Sequence, residues 1–431
     1  MDFVNQEIKL AEGQIEFEPK TLKIKGDAKI FMRFIPKLDL IIEANAYEFF
    51  GTLLAEKEIE VNFPSIQLST KFLIKRTSIR KSYEIIAIPQ KEPLFIGSHS
   101  ETKKVIFHVL NFPEFHGTSD VTVVEKNRIG RRGQVILEAD GWKITITAVR
   151  NLKSLYKSLK SDGGYIITHV GHIERVDNSK FISDKSSKII DALHYFLSFS
   201  AGFFTGPILT LSLNEKDERL YEEWYCGLKS PYTSVLSWFD ISHGQLLEAV
   251  FPGFLKKWKN KIWNEPIEVA IYWYLRSNTM EGGTDGAIIL AQSALELLAY
   301  TYIVEDKKIY SYKDFKIKSA AEKIKLLLSS LNIPLNIPLD LNSLLNLGKK
   351  FNWDGPQAFS EARNFLVHPG QKRKRLAKIK SPLPLAEVWK LGLWYIELIL
   401  LNFFGHTGVY AERIKNSQIV GDVSPVPWAS E

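Results

Sequence analysis

One cysteine, Cys226, stands among 431 residues. A single thiol excludes an internal disulfide framework and a cysteine-built zinc site. It fits a reducing compartment, and a cytoplasmic protein is expected. The opening MDFVNQEIKLAEG carries acidic residues and no apolar core, so no secretory signal is expected there. Phosphate-cradling glycine loops are missing as well. GRRG near residue 130 and EGG at Glu281 to Gly283 match no phosphate-binding spacing. Neither a Walker sequence nor a Gly-x-Ser-x-Gly elbow is present. Ala192 to Leu213 lacks Lys, Arg, Asp and Glu, yet Gly202, Gly206 and Pro207 divide it into a helix-like half and a strand-like half. It is therefore not expected to span a membrane.

What is present is globular. Apolar residues make up 45% of the chain and charged residues 24%, and the length suits two or three domains with a sizeable core. The formal net charge is +7, with a pI of about 9.0. That balance leans toward an acidic partner such as nucleic acid, although many soluble proteins carry the same charge.

The fold class expected is α+β in several domains. Residues 1–150 read as a β-rich N-terminal domain, sandwich or barrel-like. Their short segments (KIFMRF, LDLIIEA, IEVNF, KVIFHVLNF, WKITITAV) are rich in β-branched and aromatic residues and often alternate with polar ones. Residues 151–262 read as a mixed α/β, aromatic-rich middle region, whose Trp224, Trp238, Phe251, Phe254 and Trp258 are expected in the core. Residues 263–405 turn helical: Glu265 to Asn278 with Asn264 as N-cap, Ala287 to Val304, Ser319 to Leu331, Leu341 to Lys350, Pro356 to His368 and Leu385 to Phe404. Short connections between them predict an all-α bundle. Residues 406–431 read as an irregular or mobile tail.

Chemistry concentrates on Ser360-Glu361-Ala362-Arg363-Asn364-Phe365-Leu366-Val367-His368-Pro369-Gly370. At about 100° per residue, Phe359, Ala362, Phe365 and Leu366 form an apolar face. Ser360, Asn364 and His368 form a polar stripe bordered by Arg363. Pro369 pushes His368 out of helical angles, so the helix should end there. Cleavage of RNA by its own 2′-hydroxyl needs a proton carrier near neutral pH, for which histidine is suited. It also needs a fixed cation on the phosphate, for which arginine is suited. No metal and no other cofactor is required. His169, His172 and Glu174 in THVGHIE suggest a metal at first sight, but residues three apart in a strand face opposite ways. Glu296 sits on a largely apolar helix, where a carboxylate needs a partner. Arg363 is the partner expected; a purely structural pairing of the two is the other reading. The run Lys372, Arg373, Lys374 and Arg375 follows directly and would gather RNA, or simply keep a loop solvated.

Arg363-Asn364-Phe365-Leu366-Val367-His368, preceded by the ALELLA helix that carries Glu296, resembles the signature of HEPN domains. These are small helical domains, many of them metal-independent ribonucleases. The resemblance implies that Arg363 and His368 are catalytic, with Asn364 the customary polar residue and Glu296 a supporting acid. It further implies an endoribonuclease acting as a toxin or antiviral effector, paired as a homodimer through the C-terminal bundle. The β-rich region would then sense a phage or host trigger protein, an architecture loosely similar to ApeA-type defence nucleases. The competing expectation is a non-catalytic module that binds RNA or a partner protein.

Overall fold

The computed structural model describes residues 1, 3–18, 24–46, 57–79, 83–125, 128–368, 384–415 and 419–429. The chain begins with six strands: β1 (Ile8–Glu18), β2 (Ile24–Arg33), β3 (Asp39–Ala46), β4 (Glu58–Phe63), β5 (Leu68–Ile79) and β6 (Tyr83–Pro89). They close into an antiparallel barrel in the order β1-β2-β3-β6-β5-β4. Alternation produces it. Ile24, Ala28, Ile30 and Met32 of β2 point inward, as do Leu40, Ile42 and Ala44 of β3. A side-chain period of two places every other residue in the lumen. Closure leaves no free edge in this unit.

Next come β7 (Leu94–Gly97), β8 (Glu101–Thr102), β9 (Lys104–Leu110), β10 (Val121–Glu125), β11 (Arg128–Arg132), β12 (Gln134–Ala139), β13 (Trp142–Ala148), α1 (Leu152–Asp162), β14 (Ile167–Arg175), β15 (Phe181–Ile182), α2 (Ser183–Ala201), β16 (Gly206–Leu213) and β17 (Arg219–Trp224). Seven of these strands form one sheet in the order β12-β13-β14-β9-β16-β17-β7, every neighbouring pair antiparallel. The expected boundary at residue 150 is therefore displaced. The β-rich region is a barrel followed by a sheet that takes strands from both sides of that residue. Short strands look alike in sequence whichever sheet they join, so their partners were not legible. The division of Ala192 to Leu213 holds: α2 stops at Gly202, left-handed at φ 79°, and β16 starts at Gly206.

The C-terminal half is helical: α3 (Gln245–Trp258), α4 (Asn264–Asn278), α5 (Gly283–Tyr300), α6 (Tyr312–Lys316), α7 (Ala320–Ser330), α8 (Asn342–Phe351), α9 (Gly355–Val367) and α10 (Leu385–Phe403). Asn264 lies inside α4 rather than capping it; its side chain donates to the Trp258 carbonyl at 2.9 Å. Helix α7 starts on a full capping box, Ser319 with Glu322. Helix α5 runs on into a π-helical turn, Thr301–Asp306. That 24-residue segment is long and apolar enough to cross a membrane, but 56% of its most apolar window is buried inside the protein. One continuous core joins the sheet, α2, α3 and the bundle, and includes Trp238, Phe251, Phe254, Trp258 and Trp263. A second core fills the barrel and reaches Leu110, Ile208 and Trp224 of the sheet.

The C-terminal segment, expected to be irregular or mobile, has little regular structure but is anchored to the core. Tyr410, Arg413, Ile414 and Val426 are buried, and β18 (Val409–Tyr410) pairs with β19 (Ser424–Pro425). Trp428 donates to the His406 carbonyl at 2.7 Å. The segment lacks periodicity because it is a strap, held by single anchors rather than by a helix face.

Candidate functional site

Helix α9 starts on Asp354, whose carboxylate accepts from the Gln357 amide at 3.0 Å, with Pro356 in the first turn. It ends where expected. His368 leaves helical angles at φ −119°, ψ 81°, while its amide still donates to the Asn364 carbonyl at 3.0 Å. Phe359, Ala362 and Phe365 are buried. The polar stripe grades outward from buried Ser360 through half-buried Asn364 to exposed His368. Arg363 is half-buried, and its Nη1 lies 3.4 Å from Asn364 Oδ1. Arg363 Nε and Ser360 Oγ are buried without a hydrogen-bond partner among the described residues.

Glu296 is held differently from expectation. Gln292 Nε2 donates to it at 2.8 Å, and Lys323 Nζ of α7 lies 3.5 Å from its other oxygen. No ion pair between Glu296 and Arg363 is present among the described residues. The carboxylate is partly exposed and takes Lys323 rather than the expected Arg363: α7, started by its capping box, brings a lysine to the same face of α5. Lys372, Arg373, Lys374 and Arg375 lie outside the described residues. His169 is fully buried in the sheet with its ring stacked on Phe115, whereas His172 turns the other way to Glu174 at 3.2 Å. The two histidines thus cannot share an ion, and no metal-binding group of side chains occurs among the described residues.

A second site was missed by sequence reasoning. A cavity of about 1130 Å³ opens between α2, the end of β17 and its following loop, and the start of α4. Asp191, His194, Tyr195, Glu223, Lys229 and Trp258 line it. Burial pushes the Glu223 carboxyl up to about 7, aided by Asp191, and pushes the Lys229 amine down to about 8. Tyr195 donates to Glu268 at 2.8 Å and packs against Trp258 with ring centroids 5.0 Å apart. These residues are scattered from Asp191 to Glu268 with no motif, so only tertiary structure gathers them.

With barrel, sheet and bundle in place, the comparison with known proteins defines the class. Residues 97–235 match the YopA central domain and residues 260–424 the YopA C-terminal domain. The chain belongs to the YopA family. It is 30% identical over 438 residues to the SPbeta prophage-derived protein YopA of Bacillus subtilis (strain 168), covering 99% of this chain and 96% of that one. No solved structure matches it. The HEPN resemblance, and with it the ApeA-like architecture, is thereby corrected: the bundle matches the YopA C-terminal domain, and no HEPN family matches. A six-residue pattern on a helix that ends before proline is short enough to arise from helix chemistry alone.

Proposed function

We propose that the C-terminal bundle binds RNA at the exit of α9 and cleaves it without a metal, Arg363 holding the phosphate and His368 moving the proton. The observation that carries this reading is the pair of unpartnered buried donors, Arg363 Nε and Ser360 Oγ, on the same helix that ends in the exposed His368 imidazole. Buried donors left unmade cost on the order of 1–3 kcal/mol each, and an oxyanion satisfies both. Asn364 orients the guanidinium from its own helix. Glu296, engaged by Lys323, acts at most as scaffold. The net charge of +7 favours an RNA partner, and the basic residues 372–375 follow the site directly in sequence. A cytoplasmic toxin or antiviral effector fits the prophage origin of the related protein, with the barrel and sheet as the part that senses a phage or host trigger.

Cleavage benefits from both a base and an acid, and two copies of the site across a two-fold axis would supply them. The active form proposed is accordingly a homodimer through the bundle. A second reading is RNA binding without cleavage. The turn of Arg363 toward Asn364 favours it, because that hydrogen bond occupies part of the guanidinium fork. The test is an RNA cleavage assay in EDTA with purified protein and its Arg363→Ala and His368→Ala variants. Cleavage lost in both, with binding weakened chiefly in Arg363→Ala, supports catalysis. Binding by the parent without cleavage selects the second reading. Cleavage unaltered in His368→Ala overturns the first.

A further inference from the structure

The cavity beneath β17 carries chemistry that the α9 site does not use. The hydrogen bonding at its base fixes a tautomer. His194 Nδ1 lies 2.7 Å from the Thr205 carbonyl oxygen, which also accepts from Ser198 Oγ at 2.8 Å. A carbonyl oxygen only accepts, so Nδ1 carries the hydrogen. Lys229 Nζ lies 3.3 Å from that same Nδ1. An ammonium there would direct N–H at N–H, whereas a neutral amine offers a lone pair. Among the described residues, no carboxylate forms an ion pair with Lys229. The side chain is half-buried and opens on the cavity. The tautomer and the missing counter-ion both favour the uncharged amine.

We propose that Lys229 is a carbonyl-reactive amine and that the cavity takes a small aldehyde or ketone with a flat apolar part, which condenses with Lys229 as an imine. The flat part lies against the Tyr195–Trp258 wall. The amine nitrogen adds to the carbonyl carbon, a C–N bond forms and the C=O π bond breaks onto oxygen. That oxygen takes a proton from a cavity carboxyl, and the nitrogen returns one to the carboxylate so formed. The carboxyl then gives a second proton to the carbinolamine oxygen, the C–O bond breaks and water leaves as the nitrogen lone pair forms C=N, and the remaining N–H proton returns to the carboxylate. One amine and one carbonyl thus become one imine and one water, with no change of oxidation state. Glu223 suits the proton-carrying role because burial keeps it partly protonated near neutrality.

The groups that set the reactivity of Lys229 come from three directions. Burial lowers its pKa to about 8, against the opposing influence of Cys226 and Glu92 and of the Tyr225 ring, whose centroid lies 5.8 Å from Nζ, and His194 of α2 faces it directly. Relative to an ordinary lysine near pKa 10.4, the neutral fraction at pH 7.5 is about two hundredfold larger.

The experiment uses the full chain with pyridoxal as the carbonyl probe and cyanoborohydride to reduce any imine, followed by peptide mass spectrometry. The expected result is labelling at Lys229 on the order of a hundredfold faster than at Lys188, Lys259 or Lys261 at neutral pH, rising with pH through a midpoint near 8. Lys229→Arg should lose that adduct while retaining the parent's thermal melt. If the variant does not fold, the site mapping in the parent decides alone. Labelling spread over the exposed lysines with no preference for Lys229 overturns the proposal.

Discussion

Arg413 holds Glu397 in a two-pronged ion pair wholly inside the protein: Nε to one carboxylate oxygen at 2.8 Å, Nη2 to the other at 2.5 Å. The side chains are 1% and 0% exposed. Tyr274 donates to Glu397 at 2.5 Å, and the guanidinium also donates to the Leu236 carbonyl at 2.9 Å and to Asn278 Oδ1 at 3.2 Å. One arginine of the C-terminal strap thereby ties together α10, α4 and the loop before α3. Removing one partner of such a pair strands a buried charge. Arg413→Ala should destabilise by about 3–5 kcal/mol in urea unfolding. Replacing both partners at once, Arg413→Met with Glu397→Leu, should recover much of that loss; equal losses in both variants would rule out stranding as the cause.

Glu296 and Lys323 are partly exposed, and a pair of that kind contributes about 0–1 kcal/mol. Glu296→Gln should leave the melting temperature almost unchanged, and should leave any RNA cleavage unchanged too. A large loss of cleavage with intact stability would return Glu296 to the site.

His169 offers a pH prediction. Burial beside Phe115 and Phe112 holds its imidazole down to about 3, since Nδ1 meets only the neutral Thr168 hydroxyl at 3.0 Å and Nε2 has no partner among the described residues. The unfolded chain, with an ordinary histidine near pKa 6.5, binds a proton that the folded chain refuses. Stability is therefore full above about pH 6.5 and falls as the pH drops toward 3, by at most about 1.4 kcal/mol per unit from this residue. His169→Phe should flatten the acid limb of a stability–pH curve. An unchanged limb would mean that other groups carry it.

Two glycines separate close packing from open space. A Cβ on Gly253 of α3 would lie 1.7 Å from the Phe404 carbonyl oxygen, whereas one on Gly286 of α5 meets nothing within 4 Å. Gly253→Ala should cost about 1–3 kcal/mol or more through overpacking. Gly286→Ala should be neutral or stabilise by up to about 1 kcal/mol. Thermal melts of the two variants side by side check the contrast.

Periodicity made much of the fold legible. The helices α4, α7, α8, α9 and α10 fall within a few residues of their expected limits because each pairs an apolar stripe with terminal signals such as Ser319, Asp354 or Pro369. The inward-facing strands were equally plain. Partner choice was not: nothing local tells β9 to sit between β14 and β16, or Glu296 to take Lys323. For the candidate site, the end of α9 at His368 was legible from Pro369, since a backbone restriction acts on its neighbour. Lys229 was invisible because its reactivity comes from Thr205 and His194, which fix a proton's position through distant chain.

The strap has a consequence for synthesis. During translation α5 emerges well before Arg413 and α10 shortly before it, and Glu397 then sits on an apolar helix without its cation. The bundle cannot lock until the ribosome has released residue 413. Until then two of the most apolar helices of the chain remain open to chaperones, proteases and one another. Ribosome-held chains with a C-terminal extension too short to bring Arg413 out of the exit tunnel should have a protease-sensitive bundle, and chains with an extension long enough to clear it should resist.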